Sequence, residues 1–444
     1  MSFADESAED ESAEDESAED ESCEDEPVRA ITSARLVDGR LVDVLVDDHG
    51  RVVEVLPSGA RESSDVAELG PSNVFDVGGW LLLPAPGEPH AHLDKALTAD
   101  KVPNPKGDLM GAIEAWIDAA GRGVFGLEEM TERATAALSK LVAHGVGFVR
   151  THVNVGDSDP DLVHLRAVTA AAARFAGRAT VQTVALMHSP LAGSDGAGNR
   201  DALRAALEAG AGLVGGCPHL EPDGAGMIDV ALAAASEFGV DIDLHVDETL
   251  DAGMLTLETL ARKVIDTGFS RRVTASHCVS LSMQPVEVQR RVARLVAEAG
   301  ISVVSLPQTN LFLQGWDHPT ATPRGIAPIS TLLEHGVTVA AGADNVQDPF
   351  NPMGRSDPLE TAALLVMAAH VSADVAYDLV SNAVRRVAGR PEVDFSVGSP
   401  ADFMAIDAPT LRAAVADAPA ARASIVGGRP VSVTRTTRWG DEGA

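Results

Sequence analysis

His90 and His92 stand two apart in PGEPHAHLDK (86–95), just after the apolar run Trp80-Leu81-Leu82-Leu83. On an extended strand, side chains at i and i+2 share a face, so the two imidazoles would converge as metal ligands do. Thirteen His in 444 residues yield about 0.4 such pairs by chance, so the pair decides nothing alone. Its company decides more. His245 closes GVDIDLHV and is followed by Asp247 and Glu248; Ser276-His277 closes RRVTASH; Asp344 closes VTVAAGAD. Three His and one Asp brought together would suit Zn²⁺ or Fe²⁺, and an open position on such an ion would activate water. Glu248, three residues past His245, is placed to shuttle protons without being a ligand. The bland alternative is that Glu248 caps a helix N-terminus.

Those residues need a scaffold that delivers them to one place. Apolar, β-branched runs lie at 80–92, 146–155, 179–187, 211–217, 239–246, 271–277, 301–307 and 337–344. Amphipathic stretches such as 128–145 and 285–300 lie between them and end at Gly, as helix C-termini often do. Eight strands alternating with helices predict a (β/α)₈ barrel, whose functional residues gather at the C-terminal strand ends. A doubly wound open sheet is the alternative, but no GxGxxG opens a helix after the first strand. Short alternating strands at 28–57 return near 400–406 and 421–435, so both chain ends are expected to build one small β-sandwich domain. The expected division is 1–27 tail, 28–83 small domain, 84–396 barrel, and 397–444 small domain and tail.

The formal charge is −32, of which residues 1–26 carry 14 acidic and no basic side chains, leaving −18 on the other 418. Both parts would repel phosphate backbones and anionic lipid, which argues against nucleic-acid or membrane partners. The five-residue repeat of Ser, Ala and acids in 4–27 has almost nothing to bury and is expected to be disordered. Cys23, Cys217 and Cys278 are too far apart for a metal knuckle or a disulfide framework. No signal-peptide pattern and no apolar run of membrane length is visible, so a cytoplasmic location is expected.

Taken together, PHAHLDK, HVDE, TASH and GADN resemble the amidohydrolase superfamily, and within it the cytosine deaminase group. RTHV, VQTVA, GCPHLE, NLFLQG and DPFNPMG extend the similarity over most of 28–435. The resemblance implies one divalent metal held by His90, His92, His245 and Asp344. It implies Glu248 protonating a ring nitrogen, His277 polarising the attacked group, and Asp344 also accepting the water proton. Gln182 would read the amide face of the substrate and Asn345 would contact it. Relatives with two metals bridge them by a carbamylated Lys after the fourth strand, and this chain has no Lys between Lys140 and Lys263. Departures are Asn345 and Asn154 where the group carries Asp, and Lys95 after HLD, which is similar to hydrolases of s-triazine amino substituents.

The implied activity is hydrolytic deamination of an amino-substituted nitrogen heterocycle, cytosine or a close analogue, with assembly into a homo-oligomer. Hydrolysis of a cyclic amide or N-alkylamino triazine at the same site is the alternative, and a silent binding barrel a third reading. Simpler duties were weighed beside these. Gln182 could simply bond its neighbours, His152 and His219 could pack, Cys217 and Cys278 could fill the core, and Trp316 and Phe350 could cover the mouth or merely pack.

Overall fold

The structure is a computed structural model that describes residues 29–60 and 68–437. The acidic repeat, expected to be disordered, lies outside the described residues. Eight parallel strands follow one another in chain order: Gly87–Ala91, Phe148–Val155, Thr180–Met187, Leu213–Gly215, Asp241–Val246, Val273–His277, Ser302–Ser305 and Val339–Ala341. The first and sixth are buried along their whole length. That is the condition of parallel strands covered on both faces, so their polar residues, among them Glu88, His90, Ser276 and His277, are buried inside the barrel.

The ring closes between the first strand and the eighth. A parallel bridge pairs Ala91 with Asp344. Below it, the buried Glu88 carboxyl accepts from His90 N at 3.1 Å and from Ala343 N at 2.9 Å. Gly342 is required there, because a Cβ would lie 2.2 Å from Glu88 Oε1. The eight-stranded barrel is therefore the architecture the alternating pattern predicted.

The predicted first strand, 80–92, is in fact two. Leu81–Pro84 runs antiparallel to Phe403–Ile406 in another sheet, and only Gly87–Ala91 enters the barrel. Pro84 and Pro86 lack ladder donors, so the chain changes sheets where two prolines interrupt it. Ala85 N reaches Asp402 O and Gly87 N reaches Val380 O, one on each side of the crossing. The helices fall where expected, at Leu127–Ala143 and Val286–Glu298, with Gly145 and Gly300 beyond them in left-handed conformation.

Both chain ends meet in one sheet, ordered Arg429–Thr434, Arg422–Val426, Phe403–Ile406, Leu81–Pro84, Arg29–Arg35, Leu41–Val46, Val52–Pro57, with Val74–Asp76 beside Arg29–Arg35. Ile31, Val44, Leu82, Phe403 and Ile425 gather in its own apolar cluster. Arg422 ties this sheet to the barrel through a two-pronged contact with Asp357, at 3.0 and 3.1 Å. Asp357 in turn caps the barrel helix Pro358–Ala368. Among the described residues no helix is long and apolar enough to cross a membrane.

Candidate active site

Three imidazoles converge at the C-terminal mouth of the barrel. His245 Nε2 lies 3.1 Å from His90 Nε2 and 3.2 Å from His92 Nε2, and Asp344 Oδ1 lies 3.2 Å from His92 Nε2 and 3.7 Å from His90 Nε2. Three ring nitrogens facing one another cannot all be satisfied by mutual hydrogen bonds. Tetrahedral ligands each about 2.0–2.1 Å from a zinc-sized ion stand about 3.4 Å apart, which matches this spacing. Both Asp344 oxygens are buried without a hydrogen-bond partner. Burial, reinforced by neighbouring imidazoles and by Lys95 at His92, holds all three His well below their ordinary pKa, hence neutral with a lone pair to give. The donor set fits a divalent cation.

The next layer fixes a tautomer. Ser276 Oγ donates to Asp243 Oδ1 at 2.9 Å, so at 2.9 Å from His90 Nδ1 it accepts, and the lone pair of His90 is left on Nε2. Asp243 is held by Arg150 Nη1 at 2.8 Å, and Arg150 Nε donates to Gln182 Oε1 at 2.9 Å. His152 stacks on His90 with ring centroids 3.9 Å apart. The sequence reading gave Arg150, Asp243 and Ser276 no duty. The available signal was a charged residue inside each of two apolar strands.

Glu248 and His277 share one amide. Asn310 Nδ2 donates to Glu248 Oε1 at 3.1 Å and lies 3.1 Å from His277 Nδ1, which must accept because the amide nitrogen only donates. The proton of neutral His277 therefore sits on Nε2, which is buried with no protein partner. Burial lowers the His277 pKa to about 3 and pushes the Glu248 carboxyl up to about 8. Helix capping, the alternative duty for Glu248, belongs to Asp247, whose carboxylate accepts from Thr256 N and Leu257 N. Asp247, His277 and Asp344 have φ of 53°, 72° and 67°, a left-handed backbone that non-glycine residues adopt at a cost of about 1–3 kcal/mol each.

A cavity of ≈ 430 Å³ opens over this cluster. His92, His245, Glu248, His277 and Asp344 form its floor; Leu109, Ile113 and Trp116 of the helix Leu109–Gly121 form an apolar wall; Lys95, Asn154 and His188 form a polar one. Asn345 reaches the cavity with its Nδ2 donating to Asp348 at 2.7 Å. Cys217 and Phe350 also line it, whereas Cys278 is buried in the core. His219 contacts His245 O through Nδ1 at 3.1 Å and is outside the lining. Trp316 is 59% exposed and covers Gly107 rather than the cavity.

Gln182, expected from the resemblance to contact the substrate, is outside the cavity lining. It sits five positions before Met187 on the third strand, about 16 Å down the barrel at roughly 3.3 Å per residue, and serves Arg150. The end of the third strand instead brings Leu186, Met187, His188 and Ser189 to the cavity.

The sequence profile of the amidohydrolase family matches residues 124–432. A pterin deaminase from Rhizobium rhizogenes is 34% identical over 371 residues, 82% of either chain. An N-isopropylammelide isopropyl amidohydrolase from a Pseudomonas species is 25% identical over 355 residues, 77% of this chain and 84% of that one. Among solved structures, 5-methylcytosine deaminase from Klebsiella pneumoniae, bound to phosphonocytosine, matches with a TM-score of 0.81 and 26% identity, over 92% of this chain and 99% of that one.

Proposed function

The chain belongs to the amidohydrolase family, in its cytosine deaminase-like group, and from that premise we propose a substrate and a duty for each residue of the site. It is a metal-dependent hydrolase of C–N bonds that deaminates an amino-substituted nitrogen heterocycle. The ring is an aminopyrimidinone, and a fused bicycle of the pterin kind fits better than cytosine itself. What carries this reading is the ≈ 430 Å³ cavity, which leaves room beside a single pyrimidine ring and has the Leu109, Ile113 and Trp116 wall to cover a second. The 34% identity to a pterin deaminase supports it.

His90, His92, His245 and Asp344 would hold one ion, zinc or iron(II), whose Lewis acidity makes water nucleophilic near neutral pH. A second cation beside His90, His152 and Asp243 is opposed by Arg150, which already occupies Asp243. Water adds to the amino-bearing ring carbon and gives a proton to the free oxygen of Asp344. Glu248, kept protonated by burial, donates to the adjacent ring nitrogen. His277 Nε2–H stabilises the oxygen on the tetrahedral carbon, with Asn310 fixing its tautomer. Asp344 then passes its proton to the amino group and the hydroxyl proton returns to Glu248, so ammonia leaves, a carbonyl remains and both carboxyl groups regain their starting state.

The test is ammonia release by metal-loaded protein from pterin, cytosine, isocytosine, creatinine and aminotriazines. A signal on a fused ring that disappears in Glu248→Gln is the expected result. Silence across the panel, with one metal verified per chain, would refute the reading. Release of an alkylamine without ammonia would favour hydrolysis of N-alkylamino triazines instead.

A further inference from the structure

Lys95 and Asn154 have no part in the chemistry above, yet both face the cavity. Lys95 is only 4% exposed, unusual for an ammonium group. Its Nζ lies 2.8 Å from Asn154 Oδ1, 3.2 Å from His92 Nδ1 and 3.8 Å from Asp94 Oδ1. Asp94 is itself pinned, accepting through Oδ2 from His164 Nδ1 at 2.9 Å and Asn154 N at 3.2 Å. An ammonium only donates, so the Asn154 atom facing it must be the carbonyl oxygen, and Nδ2 is left without a hydrogen-bond partner among the described residues. The result is two adjacent donors, one charged and one neutral, lining a cavity that also has an apolar face of Leu109, Ile113 and Trp116. Trp116 lies close by, with its ring centroid 5.7 Å from Lys95 Nζ.

We propose that Lys95 and Asn154 form a donor pair that grips two neighbouring acceptors of a fused aminopyrimidinone, the ring carbonyl oxygen and the nitrogen facing it across the ring fusion. This rests on the reading of the enzyme as a deaminase of such rings. A pterin presents that acceptor pair side by side; cytosine has no second ring and cannot offer it. Two donors without an acceptor in a desolvated pocket disfavour the smaller ring, so the pair selects by what it leaves unpaired as well as by what it binds. A carboxylate at position 154 would accept from Lys95 but could not donate to the substrate.

The experiment compares pterin with 5-deazapterin, in which the nitrogen facing the carbonyl is a C–H group. Wild type, Lys95→Gln, Asn154→Ala and Asn154→Asp are assayed with metal content measured for each. Wild type is expected to favour pterin in kcat/KM by roughly 10- to 100-fold, mostly through KM, the range that leaving a buried donor unpaired provides. In Asn154→Ala and Asn154→Asp the ratio of the two substrates should fall toward one, a change that simple loss of packing or of metal would not produce. Lys95→Gln should weaken binding of the deaminated pterin product, read from its fluorescence, by a similar factor. Pterin turnover with the same substrate ratio in wild type and all variants would overturn this proposal alone. Absence of ammonia from every fused ring would overturn it together with the deaminase reading.

Discussion

Asn310 fixes the tautomer of His277 while burial keeps Glu248 protonated, and that fixes what substitution should do. Glu248→Gln keeps the shape but has no proton to transfer, so kcat should fall by about 10²- to 10⁴-fold with metal content unchanged. Burial holds the Glu248 carboxyl up at about 8. The donor is the protonated form, so kcat should decline as pH rises through about 8, and the residual activity of Glu248→Gln should lack that alkaline limb. A kcat–pH profile of both proteins checks this. Metal removal by a chelator leaves three neutral imidazoles and an unpartnered Asp344 crowded together, so adding zinc back should raise the melting temperature in wild type and not in His90→Ala. At this scale the sequence was legible where spacing encodes direction, as in His90-Ala91-His92. It was illegible where partners come from remote strands: Ser276 and Asp243 are 33 positions apart, Arg150 and Asp243 are 93 apart. The substrate contact of Gln182 was implied by the resemblance alone, although the expected strand 179–187 already put it five residues before the strand end.

At the scale of elements, strand periodicity and glycine-terminated helices were enough to reveal the eight-fold alternation. They could not show where a strand stops. Residues 80–92 read as one apolar run because both sheets demand the same residue types, and only Pro84 and Pro86 mark the change of partner. Nor could they show that Glu88, a carboxyl in an apolar strand, clasps the first strand to the eighth. Glu88→Ala should orphan two buried amides at roughly 1–3 kcal/mol each. Gly342→Ala should be comparably harmful, since its Cβ collides with the same carboxyl. Urea midpoints of both variants, measured with metal bound, test this, and an unchanged midpoint for Glu88→Ala would remove its clasping role.

At the scale of the whole molecule, the two chain ends hold a sheet that contributes no residue to the cavity lining. Its attachment is nevertheless specific. Arg422 and Asp357 form a buried two-pronged ion pair, and Tyr377 OH donates to Pro84 O at 2.8 Å. Arg422→Leu should cost about 3–5 kcal/mol by stranding Asp357 without a countercharge, while Asp357→Asn combined with it should recover part of that loss. Calorimetry of the single and double variants reads the difference. The resemblance carried by PHAHLDK, HVDE, TASH and GADN located the family from the sequence, whereas this sheet-to-barrel joint joins positions 65 apart that no motif connects.

The clasp between the first and eighth strands also governs the order of assembly. Glu88 and Ala343 are 255 positions apart, and every other barrel strand is synthesised between them. A chain emerging from the ribosome therefore carries His90, His92 and His245 long before Asp344, and holds no complete cage while it is still growing. On the proposed ligand set, an ion would be gripped by all four groups only once the last strand seals against the first. Full coordination would then be a late event in biogenesis, and a fully ligated ion would mark a barrel that has finished closing.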